Sequence, residues 1–203
     1  MVRLDFYAIK ELASPALKLM GCSDVERKEV LESLYLADLM GHYSHGIGMI
    51  PRYVESYLAG HLKANQTIKV TRDLGSLLAL DGCLGFGQSV GTQALNLATE
   101  HASKFGACIF LLANAHHIGR VGRLAEIAAG KKMVSIFFVN VLSRPVVSVW
   151  GGKTGKHGTN PICIGVPRSG DTPFILDFAT SAVAQGKMRE AHNRREQAQD
   201  GLL

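Results

Sequence analysis

The sequence predicts an α/β protein in which a helical N-terminal region precedes a part where helices and strands alternate. Apolar residues in the first sixty positions recur at the three- and four-residue spacing of buried helix faces. After Asn65, short strand-like runs alternate with helical patterns, which is typical of α/β domains. The composition, with 47% hydrophobic and 19% charged residues, supplies enough apolar surface for a core and excludes an intrinsically disordered chain.

Two helices are expected in the first forty residues. The first spans about residues 5–20 and ends at Gly21, because glycine readily adopts the left-handed conformation that follows many helices. The second begins at Ser23. Glu26, three residues later, completes the pattern of a capping box, in which each side chain accepts a hydrogen bond from the other residue's backbone N–H. Gly41 is expected to end this second helix.

A third helix is indicated by Ile50, Val54, Tyr57 and Leu58, which fall on one face at the i, i+4, i+7, i+8 spacing of a buried stripe. Gly60 is expected to end this helix. The pattern therefore predicts a helix whose apolar side packs against the two preceding helices.

Residues 1–65 are assigned to the helical region and residues 66–203 to the α/β domain, with the seam near residues 62–75. The expected elements of the domain are strands at 67–72 and 77–80 joined by a turn at 73–75, a helix at 88–104, a strand at 107–112, a helix at 121–129, and strands at 134–139, 146–149, 162–166 and 174–177. A helical pattern over 181–191 is not followed by a closing element. We therefore expect the α/β domain to be incomplete at its C-terminal end.

Charge and targeting patterns exclude several classes of protein. The net charge is +5, but the basic residues are spread along the chain without interleaved aromatic residues, so we expect no nucleic-acid partner. No stretch approaches the ~18 uninterrupted apolar residues of a membrane span, and residues 1–12 lack the pattern of a signal peptide. We expect a cytoplasmic protein with no membrane partner. The cysteines form no CxxC pair and are expected to be reduced, mostly buried thiols: Cys22, Cys83, Cys108 and Cys163.

A glycine-rich segment at residues 82–91 lies between a predicted strand and a predicted helix. Its spacing is G-x-G-x-x-x-G, whereas a dinucleotide fingerprint needs G-x-G-x-x-G. No acidic residue closes a second strand at the expected distance. The segment is therefore interpreted as a turn and a helix start.

A Ser-His loop, residues 41–48, separates the second and third helices. Its two histidines, His42 and His45, form an H-x-x-H pair, but a metal site needs three or four ligands and no carboxylate motif lies nearby, so no metal is expected. Histidine titrates near pH 6.5, which suits proton transfer close to neutrality. The alternative, in which both histidines only cap helix ends, stays open for this loop taken alone.

Three further motifs lie where the chain leaves a strand or makes a turn, the places where α/β folds position ligand contacts. They are Asn114 to Gly122 with its adjacent histidines, Gly158-Thr159-Asn160-Pro161, and Leu176 to Ser181. In the His116-His117 pair, one ring can point into a cleft while the other points away. Each of these motifs alone is consistent with a structural role.

In chain order, the motifs resemble those of the malate/L-lactate dehydrogenase family of NAD(P)-dependent oxidoreductases, the type unrelated to the Rossmann-fold lactate dehydrogenases. The family pattern contains G-H-x-S-H-G, P-R-Y-V, N-x-x-H-x-G, G-T-N-P and D-x-A-T-S, and this chain matches these motifs at 41–46, 51–54, 114–119, 158–161 and 177–181. The stretches SHGIGMIPRYV and HHIGR resemble the hydroxycarboxylate dehydrogenase branch. The resemblance implies a non-Rossmann cofactor-binding domain with a mixed sheet. It also implies hydride transfer between NAD(P) and C2 of a small 2-hydroxy or 2-oxo carboxylic acid, malate-like or lactate-like.

The resemblance implies roles for individual side chains. His45 matches the family's proton donor to the carbonyl oxygen, with Ser44 as its hydrogen-bonding partner. His117 matches a second histidine that some members use as general base, so the sequence leaves both histidines open as the main acid or base. Tyr53 matches a substrate-pocket tyrosine. The positions implied to line the nicotinamide are Asn140, Thr159, Asn160, Pro161, Asp177, Phe178 and Ala179.

One departure from the family pattern bears on the substrate. Many members carry, four residues after the matched histidine, an arginine that can hold a carboxylate; here that residue is Met49. Either another cation holds the carboxylate, with Arg52 and Arg120 as candidates, or the pocket accepts a different substrate. We interpret this as a difference in specificity. The basic loop 151–157 is consistent with NADP or with a solvent-exposed turn, so NAD and NADP both remain open.

Family members also continue beyond the position that matches Leu203, and a homodimer is the family's usual assembly. We therefore expect this chain to be most of a catalytic protomer, a fragment rather than a complete one. The alternative is a truncated, catalytically inactive family member that binds only the cofactor or a partner chain.

Overall fold

The computed structural model describes residues 5–142, 145–170 and 172–183, together with positions 191, 195 and 197. It is a mixed α/β structure, as the sequence predicts. The helices are α1 (Phe6–Leu19), α2 (Asp24–Leu39), α3 (Ile50–Leu58), α4 (Gly87–Phe105) and α5 (Gly122–Gly130). The strands are β1 (Lys69–Asp73), β2 (Leu77–Asp81), β3 (Ile109–Ala113), β4 (Ser135–Phe138), β5 (Val147–Ser148), β6 (Gly155–His157), β7 (Ile162–Val166) and β8 (Phe174–Phe178).

The chain divides into two compact units, Met1–Arg120 and Val121–Leu203. In the first unit, β1 to β3 and α4 group with the N-terminal helices, so its boundary lies well beyond the seam that the change in sequence pattern indicates. The division at residue 65 into a helical region and an α/β domain stays a prediction about domain organisation.

The predicted helices α1 and α2 are confirmed, and local hydrogen bonds explain where they begin. The Asp5 carboxylate accepts the Ala8 N–H at 2.8 Å, and the Ser23 hydroxyl accepts the Glu26 N–H at 3.2 Å. Gly21 and Gly41 follow these helices with φ of +84° and +78°, the left-handed conformation that glycine tolerates best.

Only half of the predicted capping box forms. The Glu26 carboxylate does not return to Ser23, because it accepts the Asn65 N–H at 2.7 Å instead. The Ser23 N–H is satisfied by the Asn65 side-chain oxygen, also at 2.7 Å. The start of α2 is therefore tied to the segment that leads into β1, a contact between residues about forty positions apart that a local motif does not predict.

The buried face of α3 differs from the predicted stripe. Ile50 and Tyr53 are its buried residues, while Leu58 is 78% exposed. Val54 and Tyr57 are partly buried against the helical core. The side chain of Tyr53 faces inward, where its ring meets Phe86 edge-on at a centroid distance of 5.6 Å. The buried residues of this helical core are Ala13, Leu17, Met20, Cys22, Val30, Leu31, Leu34, Met49, Ile50, Tyr53, Leu62 and Phe86.

The first sheet has the order β1-β2-β3 and is mixed, because β1 and β2 pair antiparallel whereas β2 and β3 pair parallel. The predicted hairpin turn is confirmed by the Leu74 N–H bonded to the Leu77 carbonyl and by the Gly75 N–H bonded to the Asp73 carboxylate. The crossover between β2 and β3 is α4, which shares a small core with Leu78 and Leu80 through Ala94.

The second unit contains an antiparallel sheet, β4-β7-β8, with α5 packed against it. A Cβ atom at Gly165 would come within 2.8 Å of the Ala125 side chain, so this glycine lets the helix lie close to the sheet. A separate two-stranded pair joins β5 to β6, and β6 is absent from the sequence prediction. The helical pattern expected at 181–191 falls mostly outside the described residues.

Candidate active site

The Ser-His loop forms two short 3-10 turns, Tyr43–His45 and Ile47–Met49, between α2 and α3. The Ser44 hydroxyl lies 2.8 Å from Nδ1 of His45. Asp38, in the last turn of α2, anchors the loop. Its carboxylate accepts the Ile47 N–H at 2.8 Å. A Cβ atom at Gly46 would overlap that same carboxyl group, so any other residue at position 46 would displace the Asp38 side chain from the loop.

A second group of side chains comes together around Tyr53. The Tyr53 hydroxyl lies 2.8 Å from Nδ1 of His117, and the amide nitrogen of Gln88 donates to that hydroxyl at 2.7 Å. Tyr53 is fully buried, and burial raises the pKa of its phenol well above the usual 10. The rings of His45 and His117 stack with their centroids 5.3 Å apart and 27° between their planes. The structure thus brings Ser44, His45, Tyr53 and His117 into one cluster.

The glycine-rich segment explains how His117 reaches this position. The Leu84 N–H bonds to the Asn114 carbonyl at 2.7 Å, and the His116 N–H bonds to the Gly85 carbonyl at 3.0 Å. A Cβ atom at Gly87 would lie 2.7 Å from the backbone of His117. The glycines therefore form a turn and a helix start, as interpreted from their spacing, and they admit the histidine loop rather than a phosphate.

His116 and His117 have different surroundings, although they are adjacent. Nδ1 of His116 is buried, with no hydrogen-bond partner among the described residues. Burial, together with the nearby charges of Arg52 and His61, lowers the pKa of His116 to about 4. Its ring packs edge-on to Tyr53 at 5.6 Å. His116 is therefore neutral at physiological pH and acts as a packing residue, while His117 faces the other histidine.

The other predicted substrate residues lie in different environments. Met49 is 3% exposed and belongs to the helical core. Arg52 is partly exposed on α3, next to Tyr53 in sequence. Arg120 is 8% exposed. Of the two cations considered for a carboxylate, Arg52 is therefore the more accessible one.

The residues implied to contact the cofactor belong to the second unit, where hydrogen bonds join three loops. The Asn160 side-chain oxygen accepts the Val141 N–H at 2.9 Å, and the Thr180 hydroxyl donates to the Asn160 carbonyl at 2.9 Å. The Thr180 N–H bonds to the Thr159 carbonyl at 3.0 Å. Asp177 accepts the Gly122 N–H at the start of α5, at 2.7 Å.

In this loop cluster, Thr159, Asn160, Pro161, Asp177 and Ala179 are partly buried, and Asn140 and Phe178 are exposed. A Cβ atom at Gly158 would run into the Val141 carbonyl, so the loop at 140–141 lies directly against the turn at 158–161. Small polar side chains and one exposed aromatic side chain, Phe178, belong to this cluster, and groups of these kinds can contact the carboxamide and the flat ring of a nicotinamide.

Two residues that shape the histidine cluster, Asp38 and Gln88, are absent from the sequence-based predictions. A signal exists for Asp38, because an acidic residue in the last turn of a helix opposes the helix dipole and so suggests a tertiary partner. Gln88 has only a weak signal, as a polar residue in the first turn of a helix whose neighbouring residues are buried.

Other features of the described residues concern the site less directly. No group of three or more His, Cys, Asp or Glu side chains in that part of the chain is arranged to hold a metal ion. None of its helices combines the length and hydrophobicity that a bilayer crossing requires. All four cysteines are free; Cys22 and Cys163 are buried, and Cys83 and Cys108 are partly buried.

Comparisons with known proteins agree with the motifs. The sequence profile described as malate/L-lactate dehydrogenase matches residues 4–203. Hydroxycarboxylate dehydrogenase B of Escherichia coli (strain K12) is 40% identical over 201 residues, which cover 99% of this chain and 56% of that protein. Malate dehydrogenase of Pyrococcus abyssi is 40% identical over 182 residues, covering 90% of this chain and 49% of that protein. The chain thus spans about half the length of these relatives.

The fold comparison gives the same result. The solved structure of malate dehydrogenase from Pyrococcus horikoshii OT3 superposes with a TM-score of 0.86 at 35% identity, covering 93% of this chain and 53% of that one. A profile that matches nearly every residue, together with a fold shared at this identity, identifies the group of proteins. This chain belongs to the malate/L-lactate dehydrogenase family.

Proposed function

We propose that this chain carries the proton-transfer site and part of the cofactor site of an NAD(P)-dependent oxidoreductase. The reaction is hydride transfer between the nicotinamide and C2 of a small 2-hydroxy or 2-oxo carboxylic acid, malate-like or lactate-like. The observation that carries the proposal is the stacked His45–His117 pair, with Ser44 bonded to one ring and Tyr53 to the other. The relatives' names, hydroxycarboxylate dehydrogenase and malate dehydrogenase, support the substrate class.

In the direction of reduction, a bound reduced nicotinamide supplies the hydride that adds to C2. The His45 imidazolium gives its proton to the carbonyl oxygen as the C=O bond becomes C–O–H, and the ring becomes neutral. The Ser44 hydroxyl engages Nδ1 of His45, so the proton exchanged with the substrate is carried by Nε2. In the reverse direction, neutral His45 accepts the hydroxyl proton.

The ring stacking limits the charge that the pair can hold. Two unit charges 5.3 Å apart repel by about 3 kcal/mol at an effective dielectric constant of about 20. A positive charge on one ring therefore opposes a second charge on the other, which is consistent with a reaction that moves a single proton.

Arg52 is the proposed cation for the substrate carboxylate. Arginine can hold a carboxylate through two parallel hydrogen bonds, and Arg52 is more exposed than Arg120. Buried Met49 offers no charge at the position where many family members place an arginine. In the proposed pocket, the substrate carboxylate is therefore bound by Arg52 on α3.

The proposed nicotinamide contacts are Asn140, Thr159, Asn160, Pro161, Asp177, Phe178 and Ala179. Asn160 and Asp177 each use one side-chain oxygen to hold the loop cluster together. The Thr159 hydroxyl, the Pro161 ring and the exposed Phe178 are the groups proposed to face the cofactor. Lys153 and Lys156 in the basic loop are exposed and suited to a 2′-phosphate, which would favour NADP.

The direct test is turnover of NADH and NADPH with a panel of 2-oxo acids that includes pyruvate, oxaloacetate and sulfopyruvate. The assay uses this chain and, in parallel, the longest protein that its gene encodes. Loss of reduced-cofactor absorbance with at least one acid is the expected result. Failure with every acid and both cofactors would contradict the proposal. The inactive alternative, binding without turnover, has no observation in its favour.

The resemblance also leads us to propose a homodimer in the cytoplasm. A mass measurement in solution, by light scattering after gel filtration, tests the assembly, and a purely monomeric species would contradict it.

A further inference from the structure

A buried chain of hydrogen bonds runs from α4 to His117. The amide nitrogen of Gln88 donates to the Tyr53 hydroxyl at 2.7 Å, and that hydroxyl lies 2.8 Å from Nδ1 of His117. Gln88 is 1% exposed and Tyr53 is fully buried. Water therefore has no access to the two groups that act on this side of the imidazole.

The donor-to-acceptor direction of these two hydrogen bonds follows from counting protons. A phenol has a single proton and can also accept hydrogen bonds. Since Gln88 donates to the phenol oxygen and the buried phenol proton needs an acceptor, His117 Nδ1 at 2.8 Å is that acceptor and is the unprotonated nitrogen. A neutral imidazole carries one proton, so that proton lies on Nε2.

The orientation of the Gln88 amide is favoured by its surroundings. In this orientation the amide oxygen is buried, with no partner among the described residues. The opposite orientation would turn the NH₂ group into that position and leave both of its N–H donors unmatched, whereas the observed orientation engages one of them at the Tyr53 hydroxyl. Orphaned buried N–H groups are rarer than under-satisfied C=O groups, so the observed direction is the better one.

We propose that Gln88 is a positioning residue that acts through Tyr53 to hold His117 as its Nε2–H tautomer. His117 is then a hydrogen-bond donor through Nε2, while His45 is the histidine whose proton is exchanged. This division of roles rests on the proposed function, whereas the tautomer of His117 is a property of the folded protein whether or not it has that function.

The hydrogen bonds from Gln88 to Tyr53 and from Tyr53 to His117 also disfavour a positive charge on His117. An imidazolium has N–H groups on both nitrogens, so Nδ1–H would face the Tyr53 oxygen and the buried phenol proton would lose its acceptor. The Nδ1 partner of His45, by contrast, is the Ser44 hydroxyl, which can either donate or accept and so fits either state of that ring.

The test is nitrogen NMR of the chain labelled with ¹⁵N-histidine, using correlations between ring protons and ring nitrogens. These spectra distinguish protonated from unprotonated Nδ1 and Nε2, and a His117→Gln variant assigns the signals by their loss. The expected result in the unaltered protein at neutral pH is a protonated Nε2 and an unprotonated Nδ1 for His117. The Nδ1–H tautomer would overturn the inference without any variant being needed.

The role of Gln88 is tested by Gln88→Met, with Gln93→Met as the matched control. Gln93 lies on the same helix, but its amide bonds to the Gln66 carbonyl and the Ile68 N–H. We expect Gln88→Met to give His117 a mixture of tautomers and to lower kcat several-fold more than KM changes. Gln93→Met should keep the original His117 signals. An unchanged His117 spectrum in a folded Gln88→Met variant would overturn the role of Gln88.

The two proposals fail in distinguishable ways. Absence of turnover with every acid contradicts the proposed function, whatever the tautomer. Turnover together with an Nδ1–H tautomer of His117 contradicts only the inference drawn from the Gln88–Tyr53–His117 hydrogen bonds.

Discussion

The histidine cluster of the first unit and the loop cluster of the second unit are held together by different kinds of contact. In the first, side chains bond to side chains far apart in sequence, as between Tyr53 and His117. In the second, each of the bonds has at least one backbone partner, as between the Val141 N–H and the Asn160 side chain or between the Thr180 N–H and the Thr159 carbonyl. The comparison suggests that the first cluster fixes the orientation of titrating rings, whereas the second shapes a surface for a ligand.

The difference leads to an expectation for mutations. Changes in the histidine cluster should act on kcat and on folding, since its members are buried and share partners. Changes in the loop cluster should act mainly on cofactor affinity.

The largest effect is expected for His45→Gln. Removing a general acid typically costs about 10²- to 10⁴-fold in rate, and kcat should fall by this order while the Kd for NADH changes little. Steady-state kinetics and cofactor fluorescence provide the two measurements. His42→Gln, an exposed histidine in the same loop, is the control and should retain activity. Equal losses in both variants would remove His45 from the mechanism.

Gly46→Ala should destabilise the protein and displace the Ser-His loop. Its Cβ would overlap the Asp38 carboxyl group, which also accepts the Ile47 N–H. Overpacking of this kind typically costs about 1–3 kcal/mol, to be measured as the free energy of unfolding in urea. Gly48→Ala is the matched control, because no atom lies within 4 Å of its added Cβ. Similar stability of the two variants would contradict the predicted close approach.

Thr180→Val should weaken cofactor binding in the second cluster. The substitution keeps the shape but removes the hydroxyl that donates to the carbonyls of Thr159 and Asn160. A net loss of about 1 kcal/mol is typical of such bonds, which corresponds to a several-fold higher Kd for NADH or NADPH in a fluorescence titration. Thr180→Ser retains the hydroxyl and should bind as the unaltered chain does. A fall in kcat with unchanged Kd would break the comparison between the two clusters.

The smallest effect is expected for Glu26→Gln. Burial raises the pKa of Glu26 above the usual 4.5, so the folded state binds its proton more tightly than the unfolded state does. Because the folded state binds more protons, this carboxyl makes stability fall as the pH rises above 4.5 and through the raised pKa. A glutamine can still accept the Asn65 N–H but carries no charge to bury.

Urea unfolding from pH 4 to pH 8 measures this prediction. The Glu26→Gln variant should lose less stability over that interval and should be at least as stable as the unaltered chain at pH 7. Glu55→Gln, at an exposed position on α3, controls for the loss of one carboxylate. A variant that is less stable at every pH would show that the Glu26–Asn65 bond outweighs the cost of burying the charge.

The parts of the fold that the sequence predicted well are those decided by neighbouring residues. Ser23 caps α2, and Gly21 and Gly41 follow helix ends, because each of these effects involves residues within a few positions. The prediction that Glu26 completes the capping box was wrong for the opposite reason. The Glu26 carboxylate accepts the N–H of Asn65, a residue from a distant part of the chain.

The candidate site shows the same division. His45, His117 and Tyr53 could be singled out because they lie in motifs shared with the family. Asp38 and Gln88 could not, because what they do depends on which residues the fold brings beside them. A polar side chain in the first turn of a helix does not by itself reveal that it bonds to a tyrosine 35 positions away.

The class of the fold, the order of most helices and strands, the family, and the residue types available for proton transfer could all be read from the amino-acid sequence. These follow from local periodicity, helix capping and motif order. Only the folded protein shows that the His45 and His117 rings stack, which face of α3 is buried, and which nitrogen of His117 lies at the Tyr53 hydroxyl. The physical reason is that packing and hydrogen-bond satisfaction are settled between residues distant in sequence, and a ring nitrogen takes its role from the neighbour that the fold supplies.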